Sequence, residues 1–227
     1  MKSNNKFSSR DKTRYITLIG MLSAIAYIFT LIGHFVPIKF NAFLSYDPKD
    51  AIIAISGFAL GPLSPLIISL VVSFLELITI STTGFIGFLM NVISSAAFSC
   101  IAALVYKYKK TIGGAVLGLV ISSAVTVGLM ILWNYLITPL YMGVPRSMIK
   151  EMILPVFLPF NVIKCGLNSA LTMLIYKPCV QAMRRVGLIK PAPCSEELEK
   201  KAKPSLAVIL CSLAVIAIMI VLFIVLK

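Results

Sequence analysis

An apolar run from about Ile153 to Tyr176 is long enough to cross a bilayer and carries a lysine, Lys164, near its middle. A spanning segment has no water to satisfy its backbone, so it must be helical, and a hydrocarbon core of about 30 Å takes roughly 20 apolar residues. A charge near the bilayer centre costs roughly 2.5 to 3.5 kcal/mol on insertion scales. Such a residue therefore faces a bundle interior, a wet cavity or a ligand, or snorkels to an interface. Asn161, Lys164 and Asn168 stand at i, i+3 and i+7, so they line one helix face. Pro155 and Pro159 precede that face and leave backbone carbonyls that protein or a cavity must satisfy. A polar stripe of this kind reads as a ligand site, with a lysine that merely ties helices together as the plainer alternative.

The remaining chain fits the same solvent. Of 227 residues, 59% are hydrophobic and 13% charged, and the mean hydropathy is +0.99. These values define an all-α polytopic membrane protein with no room for a large soluble domain. A net charge of +13 also occurs in nucleic-acid binders, but here the basic residues are scattered between apolar spans without an interleaved aromatic patch, so topology explains them. The five cysteines, Cys100, Cys165, Cys179, Cys194 and Cys211, show no CxxC spacing and read as packing thiols. The single histidine, His34, sits at a span end, and no metal cluster can be assembled around it. No Ser/His/Asp set and no carboxylate pair within one span points to an enzyme, and no resident cofactor is expected.

Residues 1–14 form a basic tail, the usual cytoplasmic flank of a first helix. The run that follows lacks a convincing small-residue cleavage site and reads as a retained span. Helix 1, about Tyr15 to Val36, carries Gly20 and Ala24 four apart and Ala26 and Thr30 four apart, small-residue spacings that let another helix approach closely. This face is expected either to dock a partner or to pack a sister helix. Residues 37–50 read as an outer loop with a turn at Asp47-Pro48. Gly61-Pro62 then divides a short helix 2, about 50 to 60, from helix 3, about 62 to 80. This division places Lys107, Lys109 and Lys110 on the same side as the tail.

Glu76, a second intramembrane charge, is expected to contact a ligand or to lie near the outer rim in reach of water. Counter-ion to Lys164 is the less favoured role. Asn91 lies one turn into helix 4, about Phe85 to Tyr106, and helix 5 runs from about Ile112 to Thr138. Trp133, Tyr135 and Tyr141 at its outer end suit an interfacial belt, whereas Asn134 is polar among apolar neighbours. Residues 188–203 read as a cytoplasmic linker between a substrate-binding domain, 15–187, and a further span within 204–227 that is uniformly apolar and lipid-exposed. Most Lys and Arg then fall inside, with Lys39, Lys49, Arg146 and Lys150 as the outside minority.

Four stretches resemble the substrate-binding S components of energy-coupling-factor (ECF) vitamin transporters, in particular the riboflavin-specific ones. They are Met21-Leu22-Ser23-Ala24-Ile25-Ala26, Phe58-Ala59-Leu60-Gly61-Pro62, Asn134-Tyr135 with Pro139-Leu140-Tyr141, and Pro159-Phe160-Asn161-x-x-Lys164. The resemblance covers about residues 15–187. It implies a six-helix bundle in a bacterial cell membrane, N-terminus inside, that captures riboflavin from outside. It also implies that the helix 1 face docks on a transmembrane coupling subunit served by two ATP-binding subunits, consistent with the lack of a GxxxxGK[ST] loop in this chain. An isoalloxazine is a flat apolar ring with a polar pyrimidine edge, and Asn134, Asn161 and Lys164 can supply donors and acceptors for that edge. By the resemblance, Ser45 and Asp47 close the mouth or contact the ribityl chain. An S component for another vitamin or small heterocycle would share this fold and docking face. Two departures stand out: Cys165 follows the lysine where the family pattern has glycine, with Gly166 one place later, and the seventh span has no counterpart in that pattern.

Overall fold

The computed structural model describes residues 9–35, 39–41, 44–185 and 206–225. The linker expected at 188–203 lies outside the described residues. Helix α1 (Ser9–Phe35) leads into a small antiparallel ribbon, β1 (Lys39–Asn41) and β2 (Leu44–Ser45), with Lys39 opposite Ser45 and Asn41 opposite Leu44. Then come α2 (Lys49–Leu60), α3 (Leu63–Thr79), α4 (Gly84–Tyr108) and α5 (Ile112–Leu136). Two short helices, α6 (Thr138–Met142) and α7 (Arg146–Met152), and a π-helical turn (Ile153–Phe157) precede α8 (Leu158–Arg185) and α9 (Leu206–Val225). Segments 12–35, 84–108, 112–136, 146–183 and 207–225 are long and apolar enough to cross a membrane, and α3 is a shorter apolar helix.

The centre of the bundle is α2. Its 12 residues give a length of about 18 Å, too short to span the hydrocarbon core. Lys49 through Phe58 are all buried, packed by α1, α3, α4 and α8. This corrects the assignment of Lys49 to an outer loop, because a short central helix carries its first-turn charges inside with it. Gly61 ends α2 at φ 100°, a conformation that favours glycine. The Ser64 hydroxyl closes the corner by donating to the Ser56 carbonyl at 2.9 Å and the Gly61 carbonyl at 2.8 Å.

Close helix contacts fall where the sequence has small residues. A Cβ at Gly118 would lie 2.7 Å from the Ala102 carbonyl oxygen, which fixes the α4–α5 crossing. A Cβ at Gly57 would lie 2.7 Å from Ala103 Cβ and from Pro65 Cγ. Gly57→Val is therefore expected to force α2 off α3 and α4 and to destabilise the protein by about 1–3 kcal/mol, readable as a lower unfolding temperature in detergent.

Helix α8 continues to Arg185. Its start is shaped by Pro155 and Pro159, which lack amide donors. The Leu158 N–H bonds the Ile153 carbonyl in a wider turn, and Asn161 Nδ2 donates to the Phe157 carbonyl at 2.7 Å. Helix α9 is largely exposed but seats on α8. A Cβ at Gly166 would meet Met219 Cε at 2.7 Å, and Met219 and Phe223 pack on Phe160 and Ile163. Cys165 points into the core with Ala54, Phe58 and Phe98. An apolar cavity of about 510 Å³ lies between α5, α8 and α9, reached by Val162, Cys165, Gly166 and Ser169. The polar face of α8 is on its other side.

Candidate functional site

That polar face meets the first turn of α2. Lys164 Nζ lies 3.4 Å from Asp50 Oδ2. The same carboxylate accepts from Ser95 Oγ of α4 at 2.5 Å and from Asn168 Nδ2 at 3.3 Å. Asn168 also donates to the Asp47 carbonyl oxygen at 3.3 Å, and its Oδ1 accepts from the Tyr46 hydroxyl at 2.9 Å. Burial, and then the carboxylates of Asp50 and Asp47, push the Tyr46 phenol upward, so it stays protonated and serves as the donor. The segment before α2 is thereby tied to α8.

A second ion pair lies beside the first. Lys49 Nζ contacts Glu76 Oε1 of α3 and Asp47 Oδ2 at 2.9 Å. Asn91 Nδ2 of α4 donates to Glu76 Oε2 at 2.7 Å. The Lys49 N–H bonds Asp47 Oδ1 at 3.0 Å, which caps the entrance to α2. A buried carboxylate beside two donors and a buried ammonium between two carboxylates are satisfied arrangements. Glu76 is 4% exposed, so it is the partner of Lys49 and not a water-reached rim residue.

The members of this cluster differ in exposure. The side chains of Lys49, Asp50 and Glu76 are 1%, 3% and 6% exposed, whereas those of Lys164 and Asp47 keep 13% and 20%. Lys164 and Asp47 are thus the more accessible charges of the five. Ser45 joins the ribbon through its backbone, and its side chain lies outside the described part. Asn134 Nδ2 donates to the Met130 carbonyl at 2.7 Å and its Oδ1 accepts from Thr138 Oγ1 at 2.9 Å, pinning the corner into α6. Helix α5 packs on the π-helical turn; Asn134 near its end and Asn161 in the first turn of α8 each give one amide N–H to a carbonyl four residues back.

The small-residue face of α1 divides. Gly20 and Ala24 are exposed, and a Cβ at Gly20 would meet nothing within 4 Å. Ala26 and Thr30 are 0% and 6% exposed, and the Thr30 hydroxyl bonds the Ala26 carbonyl at 3.2 Å. The second pair thus packs inside the bundle. The outward stripe is Ile16, Gly20, Ala24, Ile28 and Ile32.

The sequence reading missed Lys49 and Asp50 as members of the cluster. Two opposite intramembrane charges, Glu76 and Lys164, each needed a partner, and the run Asp47-Pro48-Lys49-Asp50 directly before an apolar helix offered one for each.

A bundle of apolar helices that buries Lys49, Asp50 and Glu76 is a polytopic membrane protein with a polar interior. The chain belongs to the family of substrate-specific components of ECF transporters, whose family model matches residues 14–176. It is 29% identical over 192 residues to the riboflavin transporter RibU of Staphylococcus aureus (strain TCH60), an alignment covering 82% of this chain and 100% of that one. It is 26% identical over 185 residues to the riboflavin transporter FmnP of Bacillus subtilis (strain 168), covering 76% and 97%. A solved S component of a bacterial ECF transporter superposes with a TM-score of 0.64 at 28% identity, covering 76% of this chain and 98% of that one.

Proposed function

We propose that this chain captures riboflavin at the outer face of a bacterial cell membrane as the S component of an ECF importer, with uptake driven by ATP hydrolysis in partner subunits. The observation that carries the reading is the partly exposed Lys164, held at 3.4 Å by the buried Asp50 within an apolar bundle. An ammonium offers three N–H donors, which suits the carbonyl-rich pyrimidine edge of a flavin, while apolar helix walls suit its ring. Family membership and two relatives named as riboflavin transporters support the choice of ligand. In this reading Asn134 and Asn161 complete the ring contacts, and Asp47 and Ser45 act on the ribityl side under a lid made by the ribbon. Glu76 and Asn91 act from behind, through Lys49.

The visible absorption spectrum of protein purified in detergent from riboflavin-grown cells tests this directly. A flavin band near one equivalent is expected. A colourless protein would move the assignment to an S component for another vitamin or heterocycle.

The same reading places the coupling subunit on the outward stripe of α1, where Gly20 and Ala24 allow close approach. Ala24→Trp is expected to leave flavin binding by the purified protein unchanged while abolishing riboflavin uptake in cells. Undiminished uptake would remove α1 as the docking face.

A further inference from the structure

Lys164 is long and flexible, and a lysine in an apolar span moves toward the interface unless something holds it. We propose that Asp50 is a positioning residue for ligand recognition: it fixes the Lys164 ammonium toward the ligand without touching the ligand itself. This rests on the assignment of Lys164 to flavin binding. The Asp50 side chain is 3% exposed against 13% for Lys164, so the lysine is the more accessible member of the pair.

The carboxylate is anchored from three elements. Its backbone begins α2, Ser95 Oγ of α4 donates to Oδ1 at 2.5 Å, and Asn168 Nδ2 of α8 donates to Oδ2 at 3.3 Å. The first turn of a helix is also where a carboxylate is favoured by the aligned backbone dipoles. Oδ2 therefore receives Lys164 at a fixed place, 3.4 Å from the ammonium, whose three N–H donors can be shared between the carboxylate and the ligand. Specificity for a solute with carbonyl acceptors is thus set partly from α2 and α4, neither of which supplies the contacting group.

The test is a double-mutant cycle on riboflavin affinity, measured by fluorescence quenching with full-length protein in detergent. Asp50→Asn and Lys164→Met are each expected to weaken binding at least about tenfold, and the double variant is expected to bind within about twofold of Lys164→Met alone. The visible band of bound flavin is expected to shift in the same direction in both single variants, which lost stability alone does not produce. If Asp50→Asn lowers affinity as much in the Lys164→Met background as in wild type, its role is structural and the proposal falls. If Asp50→Asn binds like wild type while Lys164→Met does not, the proposal falls and the flavin site stands. If Lys164→Met itself binds like wild type, both fall. Should Asp50→Asn fail to fold, Ser95→Ala keeps the charge but releases one anchor. Its expected two- to fivefold loss must likewise vanish in the Lys164→Met background, and a persisting loss overturns the proposal.

Discussion

Lys49→Met is expected to lower the stability of the protein sharply. The side chain is 1% exposed and lies between Asp47, at 2.9 Å, and Glu76. Methionine keeps much of the volume and the apolar stem but leaves the buried Glu76 carboxylate with Asn91 as its donor. Removing one member of a buried pair costs about 3–5 kcal/mol because the other charge stays behind. For a chain of this size that corresponds to a fall of roughly 10 °C in Tm. Glu76→Gln in the same chain removes the stranded charge, so the Lys49→Met/Glu76→Gln variant is expected to recover most of the loss. Thermal unfolding of the two purified variants beside wild type checks both steps. A single variant as stable as wild type would mean that the pair contributes no net stability. A double variant no better than the single would mean that the loss comes from packing and not from charge.

Lys164→Ala is expected to act on binding and only weakly on folding. Asp50 keeps Ser95 and Asn168 as donors when the lysine is gone, so its carboxylate is not left bare. Losing a charged hydrogen bond to the ligand costs about 1.5–3 kcal/mol, a weakening of flavin binding by roughly 10- to 150-fold. The two lysines thus separate cleanly. Lys49 is expected to set stability through α3, and Lys164 to set affinity through α8. Equilibrium titration and thermal unfolding of both variants resolve that division; a Lys164→Ala protein with wild-type affinity would remove the lysine from the site.

The spans are legible in the sequence because lipid leaves the backbone little choice, and runs such as 112–136 can only be helices. The α2–α3 corner is equally legible, since Gly61-Pro62 ends one helix and begins the next. The stripe on α8 is readable from spacing alone, and Lys164 and Asn168 do converge on Asp50. What hydropathy does not show is depth. Lys49 and Asp50 follow a turn signal and read as loop, yet α2 is buried to its first residue, because its charges meet partners far along the chain. Spacing also says nothing about which acceptor an amide takes. Asn134 and Asn161 stand out as polar residues in apolar surroundings, but each donates to a carbonyl of its own segment, at Met130 and Phe157. The small-residue pairs of α1 look equivalent in sequence, whereas the helix turns only Gly20 and Ala24 outward.

The most direct test of the account is a titration of riboflavin with flavin-free purified protein, followed by quenching of the vitamin's fluorescence, with thiamine as a control ligand. The account predicts saturable quenching at one riboflavin per chain, weakened at least about tenfold by Lys164→Ala and unaffected by excess thiamine. A folded protein that leaves riboflavin fluorescence unchanged, while its unfolding temperature rises with thiamine or another heterocycle, would contradict it.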